Sequence, residues 1–227
     1  MGGNGPEAGG ADQPLDQRCA ALIAQLRELC PGVLPEPALP PGQAGQAIPV
    51  PPEQYGQLAG VAARQAAALA TLGRLPASDA ELPGAIVWED GGAALAVVPA
   101  QLELSATEGG IAVVVPVWCD QLPDRQDKVI VTFAVGTPDR PVGLLAATTG
   151  QPIGPAVVVD AWGEQLTALA WRAVLDTAAG IAGAAGTDAD GTPLVATALA
   201  AAKDRIEVLP QARHPFDRVP TGRAVLP

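Results

Sequence analysis

Apolar residues recur at helical spacing near the start of the chain. Leu15, Cys19, Leu22, Ile23, Leu26, Leu29 and Cys30 share one stripe, and Asp16, Arg18, Gln25, Arg27 and Glu28 take the other side. The pattern predicts an amphipathic helix over 12–30, after a Gly-rich leader at 1–11, with Pro14 in its first turn and Pro31-Gly32 ending it. Residues 31–52 contain Pro40-Pro41 and Pro51-Pro52 and read as an extended, semi-rigid linker. A second helix is predicted from Glu53 to Leu72, with Tyr55, Leu58, Ala62, Leu69 and Leu72 on one side. Gly56, Gly60, Ala63 and Ala67 form a smooth second strip, the kind of surface that lets another backbone come close.

From Ala85 to Asp160 the period shortens to two. Ile86 to Glu89 and Ala94 to Val98 flank Asp90-Gly91-Gly92 as a hairpin, and Leu102 and Leu104 alternate with Gln101 and Glu103. After Glu108-Gly109-Gly110 comes Ile111 to Cys119, apolar on both faces and so expected to be covered on both; Pro116 inside it signals a bulge or an edge. Val129 to Val135, Val142 to Ala147 and Val157 to Val159 complete a run of strands. A third helix is expected from about Trp162 to Ala179, with Gly180 to Gly191 a loop. A fourth is expected from Thr192 as N-cap and Pro193 through Val195, Leu199, Ala202, Ile206 and Leu209. The fold class is therefore α+β: an antiparallel β meander of five to six strands packed by N-terminal and C-terminal helices. Residues 53–209 form the core domain and 210–227 a basic tail.

Composition sharpens this outline. The 227 residues are 48% hydrophobic but only 3% aromatic, so the core must be made of Val, Leu, Ile and Ala. Net charge is −11, which repels phosphate backbones and anionic lipid and argues against nucleic-acid binding. Arg213, Arg218 and Arg223 nonetheless stand in the tail against the single acid Asp217. The first residues hold no basic region followed by an apolar run, Pro6 breaks the myristoylation pattern, and Arg172 and Asp176 interrupt the third helix. The expectation is a cytoplasmic protein without a membrane span.

Side chains that do covalent or acid-base chemistry are scarce: one histidine, His214; two serines, Ser78 and Ser105; two lysines, Lys128 and Lys203; one tyrosine, Tyr55. Cys19, Cys30 and Cys119 have no metal-ligand spacing, and an odd count argues against a closed disulfide framework. Asp188-Ala189-Asp190-Gly191-Thr192 matches a phosphatase aspartate string, but it follows a Gly-Ala loop rather than a buried strand. As a calcium loop registered on Gly191 it lacks the first and twelfth carboxylates. Asp120, Asp124 and Asp127 read as a solvated hairpin tip, with Arg125 and Lys128 among them. Cys119, Asp160 and His214 have the order of a hydrolase triad without nucleophile-elbow glycines, and Asp160 is more simply a residue that caps or charges the start of the third helix. No dinucleotide or P-loop string occurs.

No catalytic set, metal or cofactor is assigned. The leading expectation is a non-catalytic structural or interaction protein, an adaptor, a chaperone-like factor or an assembly subunit of a larger complex, that binds a protein partner or itself through Gly56, Gly60, Arg213, Arg218 and Arg223. The alternative is a module that takes a small apolar ligand between the sheet and the third helix, with Trp88, Trp118, Trp162 and Trp171 as walls. A cysteine-dependent hydrolase ranks last.

Overall fold

The structure is a computed structural model and describes residues 47–122, 126–143 and 148–212; for 142, 143 and 148 it describes the backbone alone. The predicted helix at 12–30 and the basic tail with Arg213, Arg218 and Arg223 lie outside those residues. Strand β1 (Ile48–Val50) leads through a 3-10 turn at Pro52–Gln54 into helix α1 (Tyr55–Leu72), which Gly73 ends at φ 66°, donating its N–H to the carbonyl of Leu69. Then follow β2 (Ile86–Asp90), β3 (Ala93–Val97), a 3-10 turn at Pro99–Gln101, β4 (Glu103–Thr107), β5 (Gly110–Cys119) and β6 (Asp127–Ala134). Short strands β7 (Gly136–Thr137), β8 (Arg140–Gly143) and β9 (Thr148–Thr149) precede the long helix α2 (Ala156–Ala184). Strands β10 (Leu194–Ala202) and β11 (Arg205–Ala212) close the order.

The fold is α+β with antiparallel pairing throughout, arranged as two sheets. One runs β2-β3-β5-β6-β9, and the other β1-β11-β10-β8-β7. Strands β3 and β4 both pair the same long strand β5, Leu95 to Val97 with 117–119 and Glu103 to Thr107 with 110–114. Pro116 falls in the gap between those two ladders, so its missing N–H costs no bond on that side. The β2-β3 turn is Gly91-Gly92 at φ 57° and 85°, the left-handed pair that a two-residue hairpin needs.

Odd-numbered residues of β5, from Ile111 to Cys119, face the helices with Val129, Val131 and Phe133 of β6 and bury Trp162, Leu166, Ala170 and Ala173 of α2. The other face buries a separate cluster of Ala112, Val114 and Ile130. Lys128 and Glu103 meet at 2.9 Å beside it, an exposed pair whose alkyl stems cover Val114 more than its charges stabilise the fold.

Four expectations are corrected. Residues 194–212 are a β-hairpin about Lys203-Asp204, not a fourth helix. Leu199, Ala201, Ile206 and Val208 point to the main core with period two, and in so alanine-rich a stretch small residues fit either period. Val157 to Val159 form the first turn of α2, not the last strand. Pro155 sets the helix start, and Val158 enters the core in step with Trp162 and Leu166. The helix also continues through Gly180 to Ala184, past the expected loop. The strands do not form a simple meander, because β4 doubles back on β5 and the C-terminal hairpin builds the second sheet with Ile48–Val50. Residues 144–147 of the predicted strand at 142–147 lie outside the described residues.

Two contacts lock α1. A Cβ on Gly56 would stand 2.5 Å from the carbonyl oxygen of Leu102, and one on Gly60 would stand 2.7 Å from that of Pro99. Tyr55 hydroxyl accepts the Ile206 N–H at 2.8 Å, tying α1 to β11. Burial raises the Tyr55 pKa above its ordinary 10.0, against the smaller lowering effect of that hydrogen bond.

Gly60→Ala is expected to destabilise the protein by about 1–3 kcal/mol, since the opposing atom is backbone and cannot rotate away. Gly180→Ala, on an open part of α2, stabilises it by up to about 1 kcal/mol. Urea denaturation of both variants checks the contrast. Tyr55 is the sole tyrosine, so ultraviolet titration of phenolate reads it directly. The folded protein should ionise above the 10.0 of the unfolded chain, and the stability tied to this group is complete below pH 10 and lost as pH climbs through the folded value. Tyr55→Phe leaves the buried Ile206 N–H unpaired and should cost about 1–3 kcal/mol by the same urea assay.

Candidate functional site

Helix α2 buries one side against the sheets, and part of its other side borders a cleft. Asp160, Gly163, Glu164, Thr167, Ala168 and Trp171 recur at helical spacing and form one wall of a cleft of about 760 Å³. The opposite wall comes from Phe133 on β6, Thr149 on β9 and the connection Gly150 to Pro152. Isolated bridge bonds between Ile130 and Ile153, at 2.8 and 2.9 Å, hold that connection against β6. Gly154 lies so close to Val129 that a Cβ would meet its side chain at 2.8 Å. The walls are therefore fixed to the sheet rather than carried on a free loop.

At one end of the cleft the rings of Phe133 and Trp171 contact each other, with centroids 4.7 Å apart and planes tilted by 37°. Toward the start of the helix, Asp160 and Glu164 are both exposed and one turn apart, and neither makes an ion pair or a hydrogen bond among the described residues. Among the described residues no lysine or arginine lines the cleft. Arg172, next to Trp171, is already paired with Asp176 at 2.7 Å. Thr167 hydroxyl donates to the Gly163 carbonyl at 2.8 Å and keeps its lone pairs for an incoming donor.

The four tryptophans do not converge. Trp171 lines the cleft, while Trp162 is 1% exposed in the core, its Nε1 without an acceptor among the described residues. Trp88 packs against the core from β2, and Trp118 faces the other side of the sheet at 37% exposure. Gly56 and Gly60 are placed against the chain's own Leu102 and Pro99, so that stretch of the small-residue strip is occupied from within. Asp160 does not cap α2. Pro155 holds that position, and Asp160 is the fifth helical residue, beyond the first turn where the helix dipole acts most.

The remaining motif residues serve structure. Asp188 carboxylate accepts the N–H groups of Asp190 at 3.0 Å and Thr192 at 2.8 Å, closing a turn at the entrance to β10. Asp120 accepts the Ala94 N–H at 2.8 Å, and Asp124 lies outside the described residues. Cys119 is buried on β5, with Sγ 3.9 Å from Asp120. Its proposed partner His214 is outside the described residues. Among the described residues no three His, Cys, Asp or Glu gather as a metal site, and no helix is long and apolar enough to cross a membrane.

Comparison with protein-family models, curated proteins and solved structures finds no match for this chain. Asp160 and Glu164 repel each other at the i, i+4 spacing, with no compensating cation among the described residues. Glu164→Gln is accordingly expected to raise stability by a few tenths of a kcal/mol, measured as a higher urea midpoint at low salt that converges with the parent at high salt.

Proposed function

We propose that this chain is a non-catalytic binding protein that holds a small ligand with an apolar body in the cleft between β6 and the exposed stripe of α2. The observation that carries this reading is the cleft itself: about 760 Å³, within the range of small-molecule sites, with an aromatic pair at one end and polar groups along one wall. The scarcity of nucleophiles and bases along the chain favours binding over catalysis. In this reading the protein works in the cytoplasm and needs no cofactor.

A second reading keeps the chain as an assembly subunit. It is favoured by Val87, 57% exposed, which stands in one cross-strand row with Ala96 and Trp118. That row lies beside the edge of β2, a strand that pairs only β3 among the described residues. An unpaired edge beside an apolar row is a surface on which a further strand adds readily. The basic tail with Arg213, Arg218 and Arg223 lies outside the described residues.

The test of the first reading is a thermal-shift assay against fractionated small-molecule extract of the host, with native mass spectrometry of the stabilised sample. The parent should gain a bound mass of a few hundred daltons and a higher melting temperature. Ala168→Phe, which fills the cleft from an exposed helix position, should lose both. If no fraction stabilises the parent, or Ala168→Phe responds as the parent does, the cleft is not the binding site.

A further inference from the structure

We infer that the ligand of this cleft is an elongated organic cation, an amine or quaternary ammonium head joined to an apolar body; the inference rests on the cleft being a binding site. Two independent features of the lining point the same way. The first is charge. Among the described residues, Asp160 and Glu164 are unpaired, they repel each other across one helical turn, and no basic side chain lines the cleft. The helix dipole does not account for them, since Glu164 is the ninth residue of α2, well past the first turn. An ammonium group beside the two carboxylates relieves the repulsion and gains two attractions at once. The whole-chain net charge of −11 draws cations to the surface as well.

The second feature is shape. Trp171 lies seven residues beyond Glu164, so at the helical rise the aromatic end stands about 10 Å along the cleft from the carboxylate end. A compact ion reaches only one of these ends. A ligand with its charge at one end and an apolar or aromatic group at the other reaches both, its body lying along Gly163 and Ala168, where α2 presents little bulk. Thr167 hydroxyl and Thr149 stand along the way as acceptors for any polar hydrogen on the chain between. An anionic ligand of the same shape would have to bring a third negative charge to the pair.

Three probes of matched length separate charge from shape: 4-phenylbutylamine, 4-phenylbutan-1-ol and 4-phenylbutyrate, titrated calorimetrically into the full chain. The amine should bind roughly tenfold more tightly than the alcohol at low salt, as expected for two partly exposed charge pairs, and the butyrate more weakly still. The preference should shrink as salt is raised. In Asp160→Asn with Glu164→Gln the amine should fall to the affinity of the alcohol, which itself stays unchanged, and Ala168→Phe should abolish binding of both. Equal binding of amine and alcohol, lost together in Ala168→Phe, overturns the cation assignment and leaves the cleft standing. Amine binding that survives Ala168→Phe overturns both. If the amine does not bind the parent, the assignment is likewise overturned, and the extract assay then judges the cleft on its own.

Discussion

Everything in this fold depends on how closely backbones approach one another. With 3% aromatic residues the core has few large side chains to hold its layers apart, so helix and sheet must come together until small residues touch. The limit is reached at Gly56 and Gly60, where α1 rests directly on the carbonyls of Leu102 and Pro99. That contact seats α1 on the turn between β3 and β4, and the same break lets both strands share β5. Gly109 does the corresponding work between the sheets. In its left-handed turn at φ 74° it donates to Ala201 of β10 at 2.9 Å and accepts from Val135 and Gly136. Two sheets are thereby joined through one residue without side-chain bulk.

The cleft follows from the same economy. Helix α2 is buried by Val158, Trp162, Leu166, Ala170 and Ala173 on its inner side, and these fix its rotation about its own axis. Once that rotation is fixed, Asp160, Gly163, Glu164, Thr167 and Trp171 must share the remaining face. Phe133 is the one large ring on the facing strand, and it props Trp171 at 4.7 Å. Where the large side chains stand, the layers separate. Next to them Gly163 and Ala168 leave a groove, since neither brings bulk to fill it.

Much of the fold was legible in the sequence where a pattern had only one solution. Asp90-Gly91-Gly92 turned where a hairpin needs two left-handed residues, Tyr55–Leu72 formed the expected helix although Leu69 and Leu72 of its stripe are exposed, and the doubly apolar run after Gly109 became the central strand. Legibility failed where composition removed the contrast between periods. In 194–209 alanine fills either face, so strand and helix patterns coincide, and the decisive partners, Ile48–Val50 and Gly143, are distant in sequence. In 156–160 three valines spoke for a strand, while Pro155 and the core position of Val158 spoke for a helix start. That second misreading also hid the cleft. With the helix begun at Trp162, Asp160 falls off its end and no longer shares a stripe with Glu164, Thr167 and Trp171. The tryptophans were a poorer guide, because a ring's size says that it is buried somewhere and not on which face of the sheet it stands.

The contrast between α1 and α2 separates residues kept for the fold from residues kept for something else. Along α1 several unusual choices have a structural reason: the glycines admit two carbonyls, Tyr55 receives the Ile206 N–H, and Arg64 donates to the carbonyls of Pro83 and Asp79 at 3.1 Å. Along the cleft stripe of α2 the choices work against stability. Two like charges sit one turn apart, and a glycine stands within a helix with only Val159 and Pro152 near its absent Cβ at 3.6 Å or more. Packing accounts for Trp171, which contacts Phe133 and the main core, but not for the like-charged pair, since a lysine at 164 would suit the same helix better. If the cleft is a binding site as proposed, a cationic ligand would supply the interaction that this like-charged pair lacks within the fold.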